Sequence, residues 1–307
     1  MVAWALQICQ GLIYTMPMII GVDLGGTKIA AALAYSTGKV ITDLTLPTEA
    51  AKGKKQVLAN LKKAIYTLAQ GNKAKITCIG VGVPGPILYD KGIVIEPPNL
   101  PGWKRVNLKK ILQDEFKVPV HIDNDANCAA LAEARFGAGK KARHFIYMTI
   151  STGIGGGIII DRKLYRGMIG AAGEFGHMII DSKGFTCGCG NVGCLEALGS
   201  GTAIKKRSGM DAIAVELSAR QGDKKAIAVI EETAHYLAIG IANLVNIFNP
   251  ELVIVGGGVS KMRELLLDPI RKEFKKYALT LTAKNVKIVR AKLGSESGML
   301  GAVALCL

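Results

Sequence analysis

The stretch that decides the fold is Met18-Ile-Ile-Gly-Val-Asp-Leu-Gly-Gly-Thr-Lys28, followed by an apolar run over residues 29–33. The apolar residues on either side predict two short buried strands joined by a tight turn. Glycines in such a turn let backbone N–H groups approach phosphate oxygens without a side chain in the way. We predict that this turn binds nucleotide phosphate through Asp23, Gly25, Gly26, Thr27 and Lys28. Asp23 is also a candidate ligand for Mg²⁺, directly or through water.

The same pattern occurs again in the second half of the chain. Residues 145–150 predict a strand, the Gly-rich residues 151–157 predict a turn, and residues 158–161 predict a returning strand. A third turn, Gly256-Gly-Gly-Val-Ser260, closes a predicted strand at 252–255 and precedes a helix, as an adenosine platform does. None of the three turns has the Walker pattern. These two regions add six predicted nucleotide contacts: Thr152, Gly153, Gly155, Gly256, Gly257 and Gly258.

Strands alternate with helical patterns along the chain. Apolar spacing predicts helices at 56–68, 224–248, 261–277 and 296–305, and an Ala-rich helix ends near residue 136. This alternation predicts an α/β fold, and 307 residues suffice for two domains. Without a low-complexity linker, we expect any hinge in the short segments near residues 137–141 and Gly294.

A cluster of metal-ligand residue types lies between positions 177 and 194. His177, Cys187, Cys189 and Cys194 fall within one short segment that is rich in glycine. Three thiolates and one imidazole are a tetrahedral zinc set, and four protein ligands leave no open position. We therefore predict a structural zinc ion: the chain has seven cysteines, an odd number, and the crowding of three of them in this segment indicates a metal site rather than a disulfide framework.

The composition limits the kinds of binding partner that we expect for the chain. The formal net charge is +15, but the lysines and arginines form scattered pairs, which favours a solvated surface over a polyanion groove. We therefore expect no nucleic-acid binding. We expect no membrane binding either, because no apolar run is long enough to cross a bilayer. Residues 1–17 carry no charge and lack the marks of a signal peptide, so we interpret them as an N-terminal extension or an upstream start. The expected location is the cytoplasm.

Six motifs, in one order from Met18 to the C-terminus, resemble the ROK family of sugar kinases. They are Asp23-Leu-Gly-Gly-Thr-Lys28, Gly82-Val-Pro-Gly-Pro86, Pro98-Asn-Leu-Pro-Gly-Trp103, Asn124-Asp-Ala-Asn127, Ala172-Gly-Glu-Phe-Gly-His177 and the cysteine segment ending at Cys194-Leu-Glu196. The resemblance implies two domains of the actin-like, ribonuclease-H-like fold with a cleft between them. It also implies ATP as donor and a hexose as acceptor, with bacterial glucokinases as the most similar pattern. Two departures are Ser151, where the family usually has Gly, and Asp123, where it often has Glu.

The resemblance and the residue chemistry agree on a catalytic base. Asp125 lies where a predicted strand ends and a helix begins, which keeps the carboxylate ionised and therefore a weak base. A weak base suffices because phosphoryl transfer has a loose transition state. The expected binders of sugar hydroxyls are Gly85, Asn124, Asp125, Glu174, His177 and Glu196. The expected cofactors are ATP, Mg²⁺ and structural Zn²⁺.

The resemblance also divides the chain. It places an N-terminal domain at 18–138, completed by the C-terminal helix at 295–307, and a C-terminal domain at 139–294 with the zinc loop at 177–194. It implies a homodimer or homotetramer. Four alternatives stay open: an N-acetylmannosamine or N-acetylglucosamine kinase, a fructokinase, a polyphosphate-dependent glucokinase, and a sugar-responsive repressor. The repressor is disfavoured by the intact Asn124-Asp125 pair and by the segment 1–17 before the first strand, which is too short for a winged helix.

Overall fold

The computed structural model describes residues 16–307, so most of the segment 1–17 that we interpret as an extension, residues 1–15, lies outside the described part. The strands are β1 Met18–Leu24, β2 Lys28–Tyr35, β3 Val40–Pro47, β4 Ile76–Val83, β5 Ile87–Leu88, β6 Ile93–Val94, β7 Val106–Asn107, β8 Val120–Asn124, β9 Phe145–Ile150, β10 Ile154–Ile160, β11 Lys163–Tyr165, β12 Leu252–Gly256 and β13 Lys287–Arg290. The α-helices are α1 Lys54–Ala69, α2 Leu108–Phe116, α3 Asp125–Arg135, α4 Leu195–Gly199, α5 Gly201–Ser208, α6 Ala212–Arg220, α7 Lys224–Phe248, α8 Glu264–Glu273, α9 Thr280–Asn285 and α10 Ser297–Ala304.

The chain forms two compact units. Unit 1 runs to Ala132 and resumes at Glu296–Leu307, and unit 2 is Glu133–Ser295. The sequence predicts the boundaries after residue 138 and before residue 295. The first boundary instead falls inside α3, not in the glycine-containing segment that follows the helix.

Unit 1 contains a five-stranded sheet in the order β3-β2-β1-β4-β8. Strands β1, β2 and β3 pair antiparallel, whereas β4 lies parallel to β1 and β8 lies parallel to β4. Fully buried aliphatic residues of β1 and β4 pack with α1, whose apolar face carries Val57, Leu61 and Ile65. The carboxyl ends of the parallel strands β1, β4 and β8 lie at one edge of this sheet.

Helix α10 packs closely on β1 and β4 of unit 1. A Cβ at Gly21 would lie 2.5 Å from the Val303 nitrogen, and one at Gly80 would lie 2.9 Å from the Ala302 carbonyl carbon. Glycine is needed at both positions because the helix backbone lies directly over the strands. A disulfide joins Cys78 of β4 to Cys306, just beyond α10. The sequence predicts no disulfide framework, so this bond between two cysteines outside the metal cluster is a correction to that expectation.

Unit 2 repeats the topology of unit 1. Its sheet has the order β11-β10-β9-β12-β13, with antiparallel pairing between β9, β10 and β11 and parallel pairing of β12 with β9 and β13. The 25-residue helix α7 supplies much of the buried apolar surface of this unit. The two sheets and the helices packed with them confirm the α/β class that the alternation of strands and helices predicts. Among the described residues, no helix is both long and apolar enough to cross a bilayer.

Two predicted boundaries in unit 2 need correction. The second glycine turn is shorter than predicted, because β10 begins at Ile154 and Gly155 and Gly156 pair with β9 as strand residues. Gly156 lacks a side chain because the Phe175 ring fills that space. The predicted helix at 261–277 is also interrupted, since only Glu264–Glu273 is α-helical and 3₁₀ turns flank it on both sides.

Candidate active site

The first glycine turn joins β1 to β2 and is braced from two directions. Gly25 N–H donates to the Lys28 carbonyl at 2.9 Å, and the Thr48 hydroxyl donates to the Gly25 carbonyl at 2.6 Å. A Cβ at Gly26 would lie 2.8 Å from the Asn99 Cβ, so the turn contacts the Pro98–Trp103 segment. Thr27 and Lys28 are exposed.

Asp23 ends β1 beside this turn. Burial raises the pKa of its carboxyl group, and the nearby Lys28 partly offsets that by lowering it. A Cβ at Gly298 would lie 2.6 Å from the Asp23 Cγ, so the carboxylate lies against the first turn of α10. The positive end of the helix dipole is at that turn and stabilises an anion. Gly298 was not predicted as a site residue, because it lies at the opposite end of the sequence from Asp23.

The predicted base lies at the corner between β8 and α3. Asn124 Oδ1 and Asp125 Oδ1 each accept a hydrogen bond from the Ala126 N–H at 2.8 Å, and the Asp125 side chain is exposed. Asp123 is fully buried and accepts hydrogen bonds at 2.8 Å from the Asn124 N–H and from Asn127 Nδ2. The Asp123 carboxylate thus braces the corner that presents Asn124 and Asp125, a role the sequence did not suggest.

Unit 1 brings several predicted residues to the same edge of its sheet. Asp23 pairs with Gly82 of β4, which pairs in turn with Asp123 of β8. A Cβ at Gly82 would lie 3.9 Å from the Asp125 Cα and 3.1 Å from the Cys128 sulfur. Asp23 and Asp125 therefore lie on either side of β4 at Gly82, a position that has no side chain. Gly85 belongs to the same region, since its Cβ would lie 3.0 Å from Asn124 Nδ2.

In unit 2, Glu196 braces the second glycine turn. Its Oε2 accepts a hydrogen bond from the Ile154 N–H at 2.8 Å, and a Cβ at Gly153 would lie 3.1 Å from its Cδ. The start of α5 holds the other side of the turn, because the Ser151 carbonyl accepts from Gly201 N–H at 2.7 Å. Thr152 is exposed. Glu196, predicted only as a sugar ligand, thus also shapes the predicted phosphate turn.

Glu174 and His177 lie in one short turn, where the His177 N–H donates to the Glu174 carbonyl at 3.1 Å. Both side chains are exposed. Gly176 between them faces Glu196, since its Cβ would lie 3.2 Å from the Glu196 Cβ. Unit 2 therefore brings together three of the predicted sugar ligands and the second glycine turn.

The third glycine turn ends β12, and only one of its glycines is open. Gly257 has φ of +82°, and a Cβ there would lie 2.6 Å from the Ile150 carbonyl carbon. A Cβ at Gly256 would lie 2.8 Å from the Tyr147 Cζ. Gly258 has only the Ser151 hydroxyl oxygen nearby, at 3.8 Å from its would-be Cβ. Gly256 and Gly257 are thus required by the protein's own packing, and Gly258 is the residue with room for a ligand.

The four predicted metal ligands lie together. The donor atoms of His177, Cys187, Cys189 and Cys194 all fall within 4.8 Å of one another. Cys187 Sγ lies 3.8 Å from His177 Nδ1, and Cys189 Sγ lies 3.7 Å from Cys194 Sγ. A tetrahedral ion with Zn–S bonds of about 2.3 Å separates its sulfur ligands by roughly 3.8 Å. The residues fit a closed zinc site.

The cysteines of this cluster differ in their environments. A hydrogen bond involving the Asn191 backbone is the largest influence on Cys189 and lowers the pKa of its thiol. Burial raises the pKa of the Cys194 thiol, and its sulfur lies 3.7 Å from the His177 carbonyl oxygen. Next to this cluster, the Leu195 N–H donates to the Met178 carbonyl at 2.8 Å, which joins the Glu174–His177 turn to the start of α4. This hydrogen bond therefore holds His177 and Glu196 in one local framework.

The sequence model of the ROK family matches residues 19–307. A glucokinase of Halalkalibacterium halodurans is 36% identical over 306 residues, which cover 92% of each protein. A xylose repressor of Caldicellulosiruptor bescii is 38% identical over 312 residues, covering 94% of this chain and 78% of the repressor. The crystal structure of a ROK family glucokinase from Streptomyces griseus with glucose and AMPPNP matches with a TM-score of 0.80. It is 34% identical, and the match covers 94% of this chain and 98% of that one.

Proposed function

The chain belongs to the ROK family, and we propose that it is an ATP-dependent glucokinase that phosphorylates the 6-hydroxyl of glucose. Supporting observations are the glucokinase similarity over 92% of the chain and the similarity to a structure that holds glucose and an ATP analogue. The observation that carries the catalytic assignment is the exposed Asp125 carboxylate at the start of α3, beside Asn124. A sugar sensor without catalysis has no need of such a base.

The proposed reaction is a single transfer. The Asp125 carboxylate accepts the proton of the sugar 6-hydroxyl as that oxygen attacks the γ-phosphorus. The bond from the γ-phosphorus to the bridging oxygen breaks, and ADP leaves with the bond electrons. Little proton transfer is needed early, because the transition state is loose. Positioning of the hydroxyl carries a large part of the rate, and the Asp125 carboxylate supplies both that position and the late acceptance of the proton.

We assign the remaining residues by their placement. Asn124, Gly85, Glu174, His177 and Glu196 bind sugar hydroxyls, and such groups discriminate strongly because a missing hydroxyl leaves a polar partner unpaired. The nucleotide contacts are Asp23, Gly25, Gly26, Thr27, Lys28, Thr152, Gly153 and Gly258. Gly155, Gly256 and Gly257 support this region through the backbone rather than by side-chain space.

Two metal ions belong to the proposal. Mg²⁺, held by Asp23 directly or through water, would neutralise charge on the transferring phosphates. Zn²⁺ on His177, Cys187, Cys189 and Cys194 would be structural, since the protein supplies all four ligands. Metal on one ring nitrogen of His177 leaves the other as an N–H donor for a sugar hydroxyl.

We further propose a cytoplasmic enzyme of glycolysis that forms a homodimer or homotetramer and binds neither nucleic acid nor membrane. The cytoplasm supplies ATP and uses glucose 6-phosphate. Disulfides are uncommon in the cytoplasm outside hyperthermophiles, so the Cys78–Cys306 bond is the one observation that disfavours this location.

The decisive experiment is a coupled ADP-release assay with glucose, fructose, mannose, N-acetylglucosamine and N-acetylmannosamine, each with Mg²⁺ and either ATP or polyphosphate. We expect the highest kcat/KM for glucose with ATP. A higher value for another acceptor or for polyphosphate would replace that part of the proposal. Sugar binding by thermal shift without ADP release from any acceptor would support the repressor class instead.

Gly258→Val tests the donor site separately, because this glycine has open space and an ordinary backbone conformation. It should raise the KM for ATP and leave the KM for glucose nearly unchanged. Gly257→Val is not a clean test, since its side chain would collide with the Ile150 backbone and disturb the fold. An unchanged ATP KM in Gly258→Val would remove the third turn from the nucleotide site.

A further inference from the structure

Glu133 is a fully buried carboxylate to which the proposed reaction gives no role. It lies in the last turn of α3, and its exposed fraction is 0%. Its Oε2 accepts a hydrogen bond from the Ala138 N–H at 2.6 Å, and its Oε1 accepts one from the Leu293 N–H at 2.9 Å. Buried carboxylates are costly and persist where such hydrogen bonds compensate them.

Glu133 and the two residues whose amides it binds all lie in unit 2, close in sequence to the two points where the chain passes between the units. The chain leaves unit 1 between Ala132 and Glu133 and returns to it between Ser295 and Glu296. Ala138 lies shortly after the first crossing, and Leu293 lies shortly before the second. One carboxylate therefore links the outgoing and returning segments, although Glu133 and Leu293 are 160 positions apart in sequence.

The chain around Glu133 is shaped to this contact. Gly137 approaches so closely that a Cβ there would lie 2.6 Å from the Glu133 Cδ. The Glu133 carbonyl also accepts hydrogen bonds from the N–H groups of Gly137 at 3.1 Å and Gly139 at 3.0 Å. Residues 137–141 and Gly294 are the segments in which the sequence predicts a hinge. The structure therefore places a fixed polar contact where glycines alone suggest flexibility.

We propose that Glu133 is a positioning residue of phosphoryl transfer: it ties together the two segments of unit 2 that lie next to the crossings and thereby fixes the last turn of helix α3. This inference rests on the proposed kinase function. The same helix begins at Asp125, about two turns earlier, so a shift of its last turn also moves the base. An α-helix transmits such a shift because it is stiff over this length of about 12 Å. Misplacement of a reacting group by about 1 Å costs up to roughly 10²-fold in rate.

The test is Glu133→Gln, which keeps the size of the side chain and removes one acceptor oxygen. The amide can accept from one of the two N–H groups and turns its own NH₂ toward the other. We expect at least about tenfold faster hydrogen exchange at Ala138 or Leu293, whichever amide is left unpaired. We also expect kcat for glucose phosphorylation to fall about tenfold or more, with the KM values for ATP and glucose within about twofold of wild type.

Two control variants separate positioning from stability. Glu251→Gln alters another carboxylate that accepts two backbone bonds, from the N–H groups of Arg143 at 2.9 Å and His144 at 3.1 Å, neither of which is bonded to Glu133. Thr233→Val removes a buried hydroxyl of α7 and lowers the melting temperature without touching either crossing. Both should keep kcat per folded molecule within about twofold of wild type.

Unchanged exchange at both amides in Glu133→Gln would overturn the hydrogen-bonded link. A kcat no lower than that of Thr233→Val would overturn the positioning role and leave a structural one. The exchange measurement needs no substrate. A wild-type protein without kinase activity would therefore refute the proposed function, and the exchange data would still decide whether Glu133 makes the two hydrogen bonds.

Discussion

Gly298→Ala is the substitution that most sharply probes the first phosphate turn. The added Cβ would lie 2.6 Å from the Asp23 Cγ, whereas ordinary van der Waals contacts begin at 3.4 Å. Either the carboxylate or α10 must therefore move by several tenths of an ångström. A displacement of this size at a group that orients the reacting phosphates costs roughly 10- to 100-fold in kcat. Overpacking costs about 1–3 kcal/mol, but alanine returns up to about 1 kcal/mol of helix propensity. The net loss of about 0–3 kcal/mol in stability overlaps the roughly 1.4–2.7 kcal/mol that a 10- to 100-fold loss of kcat represents, so kcat is compared per folded molecule.

The assay is initial-rate ADP release at varied Mg²⁺ and ATP, with a thermal melt of the same samples. A double-mutant cycle with Asp23→Asn supplies the control. If Gly298 acts by leaving room for the Asp23 carboxylate, adding Gly298→Ala to Asp23→Asn should lower kcat little further. Two results would refute the reasoning: a Gly298→Ala enzyme within about twofold of wild-type kcat, or losses that multiply independently in the double variant.

Three further predictions concern stability. Burial raises the pKa of Asp23, so the protonated carboxyl group stabilises the fold below the unfolded pKa of 3.8, and this stability is lost as pH rises through the folded pKa. Asp23→Asn should therefore have a higher melting temperature than wild type at neutral pH, and the difference should shrink as the solution is acidified. Equal melting temperatures at neutral pH would contradict this reasoning. Elemental analysis should find one zinc per chain, and Cys189→Ala should lower zinc content and melting temperature together; a metal-free protein that is fully folded and active would exclude the site. Cys306→Ser should cost about 2–5 kcal/mol of unfolding free energy, because the disulfide to Cys78 spans a sequence separation of 228; a variant as stable as wild type under oxidising conditions would show that the bond does not form.

The sequence predicts those features that short-range patterns determine. Apolar runs on both sides of the Asp23–Lys28 turn specify two adjacent strands, and the matching pattern at 145–161 specifies their counterparts in unit 2. The quartet from His177 to Cys194 is predictable for the same reason, since one short segment contains every ligand. Asp125 at the start of α3 follows from the change from strand to helix pattern at that point.

Features that depend on distant contacts could not be predicted. Gly156 resembles a turn residue, and only the position of Phe175 explains why a strand needs glycine there. The partners Cys78 and Cys306 have a sequence separation of 228, and no local signal pairs them. Glu133 resembles an ordinary polar residue of an Ala-rich helix until Leu293 is seen to donate to it. In each case the packing of distant segments, rather than local propensity, assigns the role.

The central claim is that this chain transfers the γ-phosphate of ATP to the 6-hydroxyl of glucose with Asp125 as the base. The most direct measurement is product analysis by ³¹P and ¹³C NMR after incubation of glucose and Mg·ATP with wild type and with Asp125→Asn. The account predicts glucose 6-phosphate and ADP in equal amounts from wild type, and turnover at least ~10²-fold lower from a folded Asp125→Asn protein. Phosphorylation at another hydroxyl, no phosphorylated sugar from wild type, or near-wild-type turnover in the variant would contradict it.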